Sequence, residues 1–358
     1  MQTQQRLNPL KQILSFGQSI WYDGLLPPKE FERLIREDGI RGATTNPTIF
    51  EKAIASGEYD EEIGQFSEAT EEEIVRTFAI EAVQKVADTF LPVFEETRGE
   101  DGYVSIEVNP LLATNTVGTI EEAKEIHSRV NRRNVMIKIP ATIEGLPAIK
   151  AVIADGLSVN ATLIFSVERY RAVMNAYLTG LEERLDTGRK VDHIASVASF
   201  FVSRLDTALD PVLVQKQKSL AGEVAIANSK AAYLEFEKTF LGERFQRLKA
   251  LGAQVQRPLW ASTGTKNANY SDVLYVERLM GPQTVNTAPP ATLDAFRDHG
   301  VPGARLKENI QDSLKILASL QTLGIDLNET TQKLEEAGVA SFADSHNKII
   351  QAIRAKRK

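Results

Sequence analysis

The chain has 358 residues, 42% of them hydrophobic and 25% charged, the make-up of a globular protein with a sizeable core and not of a disordered one. Lys and Arg number 42 against 48 Asp and Glu, a net charge of −6, which disfavours a nucleic-acid binder and attachment to an anionic membrane surface. There is no cysteine; disulfides, thiolate metal sites, cysteine nucleophiles and iron–sulfur clusters are excluded, and the composition fits a reducing, cytoplasmic setting.

The first residues, MQTQQRLNPL, lack the apolar stretch of a secretory signal. No run approaches the ~18 apolar residues of a membrane span. The sequons at Asn160 and Asn328 therefore read as chance matches, and the basic residues Arg354 to Lys358 as a helix end.

Short apolar runs alternate with longer helical patterns. In chain order the candidate strands are Ser19–Asp23, Arg41–Asn46, Tyr103–Asn109, Asn134–Ile139, Leu157–Leu163, His193–Phe201, Arg257–Ser262 and Gln283–Asn286. Between them, Pro27 and Pro28 open a helix over Lys29–Glu37, because proline suits a first helical turn. Thr70 with Glu73, and Thr119 with Glu122, have the spacing of capping boxes. Ile120, Ala123, Ile126 and Val130 form an apolar stripe, and Ser166–Arg184 and Gly222–Lys249 are further long helical stretches. Eight strands with helices between them predict an α/β fold, an eight-stranded β/α (TIM) barrel. An open doubly wound sheet is the rival, but neither the dinucleotide fingerprint nor a phosphate-binding P-loop is present. One domain over 1–358 is expected, with the barrel at about 15–300 and a helical C-terminal appendage at about 301–358 without a core of its own.

Strand side chains alternate between faces. In the third run Val104, Ile106 and Val108 oppose Ser105, Glu107 and Asn109; in the fourth Val135, Ile137 and Ile139 oppose Met136 and Lys138; in the fifth Val159, Ala161 and Leu163 oppose Ser158, Asn160 and Thr162. An apolar face fits helices, and a polar face fits the lumen. Because barrel sites form where strands end, one mouth would collect Asp23, Asn46, Glu107, Lys138, Asn160, Thr162 and Ser199, a set suited to a polyhydroxylated substrate without a metal.

Lys138, in Val-Met-Ile-Lys-Ile-Pro, admits two readings. It is either a strand-end lysine that reaches water or pairs with Glu107, or an amine whose lowered pKa lets it attack a carbonyl. Asp23 and Glu107 could serve as acid and base, or as structural carboxylates. Asn46 could start a turn before Pro47. Arg204 suits a phosphate or an ion pair with Asp206 or Asp210, and Lys266 could add a second phosphate contact. The four histidines, His127, His193, His299 and His346, lack metal-ligand spacing.

Five stretches in order resemble the transaldolase family: Ala-Thr-Thr-Asn-Pro-Thr-Ile-Phe (43–50), Ser-Ile-Glu-Val-Asn-Pro (105–110), Val-Met-Ile-Lys-Ile-Pro-Ala-Thr (135–142), Val-Asn-Ala-Thr-Leu-Ile-Phe-Ser (159–166) and Ser-Phe-Phe-Val-Ser-Arg-Leu-Asp (199–206). Trp260 to Asn267 is similar to the longer bacterial and cyanobacterial branch. The resemblance implies a β/α barrel and a cofactor-free transferase of the pentose phosphate pathway. It would move a dihydroxyacetone unit between sugar phosphates through a lysine Schiff base. By motif position, it implies that Lys138 forms the imine, Asp23 moves the proton at the bond being broken, and Glu107 acts through a water. Asn46 and Asn160 would hold the dihydroxyacetone hydroxyls, with Thr162 supporting the water. Ser199 and Arg204 would bind phosphate, and Phe201 would line the pocket.

The chain departs from the family pattern in three places. Lys266 stands where many members have Arg, Ser203 replaces the usual Gly before Arg204, and the Asp23 stretch matches poorly. A class I aldolase that releases free dihydroxyacetone, and a non-catalytic sugar-phosphate binder, are the alternatives.

Overall fold

The computed structural model describes residues 8–57, 63, 66 and 69–357. Eight parallel strands close into a barrel in sequence order. They are β1 (Gln18–Asp23), β2 (Ala43–Thr44), β3 (Val104–Glu107), β4 (Val135–Pro140), β5 (Val159–Ile164), β6 (Ser196–Phe201), β7 (Gln256–Ala261) and β8 (Thr284–Ala288). After a short α1 (Pro9–Ile13), the helices α2 (Pro28–Asp38), α3 (Pro47–Ala55), α4 (Glu71–Glu96), α5 (Thr116–Val130), α6 (Gly145–Asp155), α7 (Val167–Asp186) and α8 (Ser203–Lys216) follow their strands. Then come α9 (Val224–Phe240), α10 (Glu243–Ala250), α11 (Leu274–Arg278), α12 (Pro290–His299), α13 (Ile310–Thr322) and α14 (Leu327–Lys356).

Local chemistry accounts for the helix starts. Pro28 opens α2, the Thr70 hydroxyl accepts from the Glu73 amide at 3.2 Å, and Ser166 caps α7 through the Arg169 amide at 3.0 Å. Each cap satisfies an orphan N–H. Two expectations are corrected. The helix after β3 is capped by Asn115 through the Gly118 amide, so Thr119 lies inside α5, and Glu122 instead accepts from the Asn109 amide at 2.6 Å. The stretch 222–249 is two helices, α9 and α10, because the chain turns extended at Gly242.

Two apolar layers follow from the alternation. Val104, Ile106, Val135, Ile137, Val159 and Ala161 face the helices, while Trp21, Met136, Val197, Leu259 and Val285 fill the lumen. The bottom of the lumen is polar: Asp101 accepts from Ser19, from the Trp21 indole at 3.0 Å and from Arg257 at 2.9 Å. Burial of so many aliphatic side chains, at about 25 cal/mol per Å², is the main stabilising contribution.

The alternation fails at one place. Register shifts between Ala161 and Ile164, and Leu163 has φ 60°. Leu163 therefore joins the lumen layer, with Phe165, Phe201 and Phe342, and not the helix-facing layer predicted for it. Bulges that re-aim a side chain cluster beside active sites.

The C-terminal helix does more than flank the barrel. Ile349 and Ile353 of α14 pack with Ile54, Ile74 and Phe78. Glu335 pairs with Arg169 at 3.0 Å, Ser345 bonds Thr48 at 3.0 Å, and His346 bonds Glu72 at 3.0 Å. Gly338 lies so near Leu163 that a Cβ there would sit 2.9 Å from Leu163 Cδ2. These ties bring Phe342 over the barrel mouth.

Candidate active site

Strand register assembles the centre of the site. Glu107 pairs with Lys138, and Lys138 with Asn160, across β3, β4 and β5. Their side chains therefore enter the lumen at one level. Lys138 Nζ lies 3.2 Å from Glu107 Oε2, and both side chains are almost fully buried (6% and 3% exposed). The ammonium donates to the Thr45 carbonyl at 3.1 Å and sits 5.5 Å from the centre of the Phe342 ring. Burial pushes the Glu107 carboxyl up, and the Lys138 charge opposes this only in part. A buried amine beside a carboxylate that holds protons above its ordinary range is a pair suited to proton exchange.

Asp23 ends β1 on the lumen face. Its Oδ1 accepts from Thr44 at 3.0 Å, and Thr44 in turn bonds Thr287 at 2.7 Å. Burial also raises Asp23, against the charges of Lys138, Lys266 and Lys52. Asn160 donates to Ser105 at 3.0 Å and accepts from Ser199 at 2.7 Å. Thr162 Oγ1 is buried without a hydrogen-bond partner among the described residues, an atom placed to bond a water or a substrate.

Above this level opens a cavity of about 1020 Å³. It is lined by Asp23, Asn46, Lys138, Thr162, Ser199, Phe201, Arg204 and Lys266, so the strand-end residues and both proposed phosphate cations reach one space. Glu107 and Asn160 are absent from the lining; Glu107 borders a smaller neighbouring cavity with Asn46, Glu72 and His346. Asn46 does not start a turn but caps α3, the helix that Pro47 opens, through the Ile49 amide at 3.1 Å, and it also lines the cavity. Asn109, placed with the lumen residues by alternation, is not there. β3 ends at Glu107, and Asn109 caps a short 3₁₀ turn and reaches Glu72.

Arg204 makes neither ion pair considered for it. Asp206 accepts from the Ala225 amide and the Tyr275 hydroxyl, and Asp210 from the Gly222 amide and the Tyr270 hydroxyl. The guanidinium lies 5.2 Å from the Phe201 ring, half-buried, and burial disfavours its charge. A cation held on a cavity wall without a carboxylate among the described residues is placed to take an anion.

Other cavity residues escaped the sequence reading: Phe342, Thr44, Thr287 and Lys52. Phe342 stands 204 positions after Lys138, on a helix whose own pattern points only to packing. Thr44 and Thr287 could have been found by extending the alternation rule to β2 and β8, since each is on its strand's lumen face.

Among the described residues, no cluster of three or more His, Asp or Glu side chains is placed to hold a metal ion, and no helix is long and apolar enough to cross a membrane.

A buried lysine on the fourth strand of a β/α barrel, paired with a carboxylate at a cavity whose wall carries Arg204 and Lys266, has the arrangement that the class of Schiff-base aldol enzymes requires. Residues 20–353 match the family described as transaldolase/fructose-6-phosphate aldolase. The chain is 44% identical to a transaldolase of Parafrankia sp. (97% of each chain covered), 42% identical to one of Trichodesmium erythraeum (98% of each) and 45% identical to one of Mycobacterium tuberculosis (97% of each). The chain belongs to that family, and within it to the full-length transaldolases.

Proposed function

We propose that the chain transfers a dihydroxyacetone unit from fructose 6-phosphate or sedoheptulose 7-phosphate to erythrose 4-phosphate or glyceraldehyde 3-phosphate, as a cytoplasmic enzyme of the pentose phosphate pathway. One observation carries the reading: Lys138, paired with buried Glu107 at 3.2 Å, lines one cavity with Asp23 and Arg204.

The neutral Lys138 amine attacks the ketose carbonyl carbon, and a water held by Glu107 and Thr162 carries protons as the carbinolamine loses water. Asp23, as carboxylate, takes the proton from the hydroxyl on the carbon that becomes the product aldehyde. The adjacent carbon–carbon bond breaks, its electron pair passes into the imine, and the phosphorylated aldehyde leaves. The enamine stays on Lys138. An acceptor aldehyde then accepts the enamine carbon, and Asp23 returns its proton to the new hydroxyl. Hydrolysis through the Glu107 water frees the product and the amine. Raised carboxyl pKa values suit both residues, since an acid–base group works best near the ambient pH. Asn46 and Asn160 hold the dihydroxyacetone hydroxyls, while Arg204, Ser199 and Lys266 hold phosphate and Phe201 lines the wall.

A coupled assay of glyceraldehyde 3-phosphate release from fructose 6-phosphate tests this. Release that requires erythrose 4-phosphate supports the transferase. Equal release without acceptor would make the chain an aldolase, which the family description also covers. No release under either condition would leave only sugar-phosphate binding.

A further inference from the structure

Lys266 is exposed, on the loop between β7 and α11, and a lysine side chain free in water has too many rotamers to define a phosphate site by itself. The loop is tied at both ends to the element that carries Arg204. At its start, the Ser203 amide donates to the Ser262 carbonyl at 3.0 Å, and the two serine hydroxyls bond at 2.9 Å. At its far end, the Tyr270 hydroxyl donates to Asp210 Oδ2 at 2.6 Å, and Tyr275 donates to Asp206 Oδ2 at 2.8 Å. Asp206 and Asp210 lie one and two turns along α8 from its first residues, Ser203 and Arg204.

The Tyr270 end is a three-way knot. Asp210 Oδ1 accepts from the Gly222 amide at 3.0 Å while its other oxygen holds Tyr270. Gly222 has φ 79°, and a Cβ there would lie 2.8 Å from Tyr270 Cζ. The phenol ring thus sits on bare backbone. From this anchor the Tyr270 amide donates to the Asn267 carbonyl at 3.0 Å, one residue from Lys266.

We propose that Tyr270 and Asp210 are a positioning pair that fixes the Lys266 loop against α8, so that Lys266 and Arg204 converge on one substrate phosphate. This rests on the reading of Lys266 as a phosphate ligand. Helix α8 supplies one cation directly and, through Asp210, sets the place of the other. Neither Tyr270 nor Asp210 touches the reacting atoms.

Steady-state kinetics on a double-mutant cycle test the proposal. Tyr270→Phe keeps the ring over Gly222 and removes only the hydroxyl. It is expected to raise KM for fructose 6-phosphate about three- to tenfold, the size of one ordinary net hydrogen bond, with kcat within about twofold. Lys266→Ala is expected to raise KM as well. In the Lys266→Ala background, Tyr270→Phe is expected to change KM no further, because its effect runs through Lys266. A wild-type KM in Tyr270→Phe beside an impaired Lys266→Ala overturns the positioning role and leaves the phosphate reading standing. Full additivity in the double variant overturns it too, since Tyr270 would then act independently of Lys266. A wild-type KM in Lys266→Ala itself removes the phosphate reading and the positioning role together.

Discussion

Lys138 and Glu107 face each other at 3.2 Å with almost no solvent, and the Glu107 oxygens have no other polar partner among the described residues. A buried carboxylate with one cation is set up to change protonation as that cation becomes an imine.

Replacing Lys138 by Met removes both the nucleophile and the counter-charge. Turnover is expected to vanish, and borohydride with fructose 6-phosphate is expected to label wild-type enzyme at Lys138 alone, read by peptide mass. Label on another lysine would defeat the assignment. Breaking a buried pair costs about 3–5 kcal/mol when the remaining charge persists. Glu107 is already raised by burial, and without Lys138 it rises further. A folded-state pKa above the unfolded one gives stability that is present at low pH and lost as pH rises through the folded value. Urea unfolding should show Lys138→Met approaching wild-type stability at acidic pH and falling away towards neutrality.

Glu107→Gln and Asp23→Asn should fail at different steps. Loss of a positioned acid–base group costs typically 10²–10⁴-fold. Glu107→Gln is expected to slow formation of the borohydride-trapped imine. Asp23→Asn is expected to form the trapped adduct at near wild-type rate but to release no aldehyde. Stopped-flow trapping beside the coupled assay separates them; equal slowing of trapping in both would remove the division of labour.

Phe342 closes the mouth over Lys138 at 5.5 Å. Phe342→Ala should admit water to the enamine. The readout is glyceraldehyde 3-phosphate release from fructose 6-phosphate without acceptor, expected to rise relative to the acceptor-dependent rate. Truncating a buried phenylalanine also costs about 3–5 kcal/mol, so Phe342→Leu serves as the folded control with a smaller leak. Unchanged partition in both would show that the helix only packs.

The Asp206 carboxyl is pushed up to about 7 by burial, despite the hydrogen bonds from Ala225 and Tyr275. The unfolded carboxyl titrates near ~4. Asp206 therefore favours the folded state fully only below about pH 4, and that contribution is lost as pH rises through about 7. Asp206→Asn keeps the shape, since the Tyr275 hydroxyl can accept as well as donate. Relative to this variant, wild-type stability should fall by up to about 1.4 kcal/mol per pH unit between those limits. A difference that is flat with pH, measured by urea unfolding, would rule this out.

The alternation of polar and apolar residues in the third, fourth and fifth strands was enough to place Glu107, Lys138, Asn160 and Thr162 on one wall. A parallel strand exposes alternate faces whatever surrounds it. The rule broke where local backbone broke, at the Leu163 bulge and at Asn109 beyond the end of β3; the helical period likewise ran on through Gly242, where the chain turns. Only the Leu163 bulge has no side-chain signature; Gly242 and the Asn109-Pro110 pair are turn signals that the periodic pattern overrode.

By itself the sequence determined the barrel and the strand-end positions of Lys138, Glu107 and Asp23, because the strand–helix alternation and period-2 patterning are local. Only the tertiary structure decided the rest. It set Lys138 within 3.2 Å of Glu107, folded Phe342 back over a mouth built some two hundred residues earlier, and left Arg204 without a carboxylate partner among the described residues by giving Asp206 and Asp210 to two tyrosines. Those are long-range choices among partners of similar chemistry, and such choices are made by packing, not by pattern.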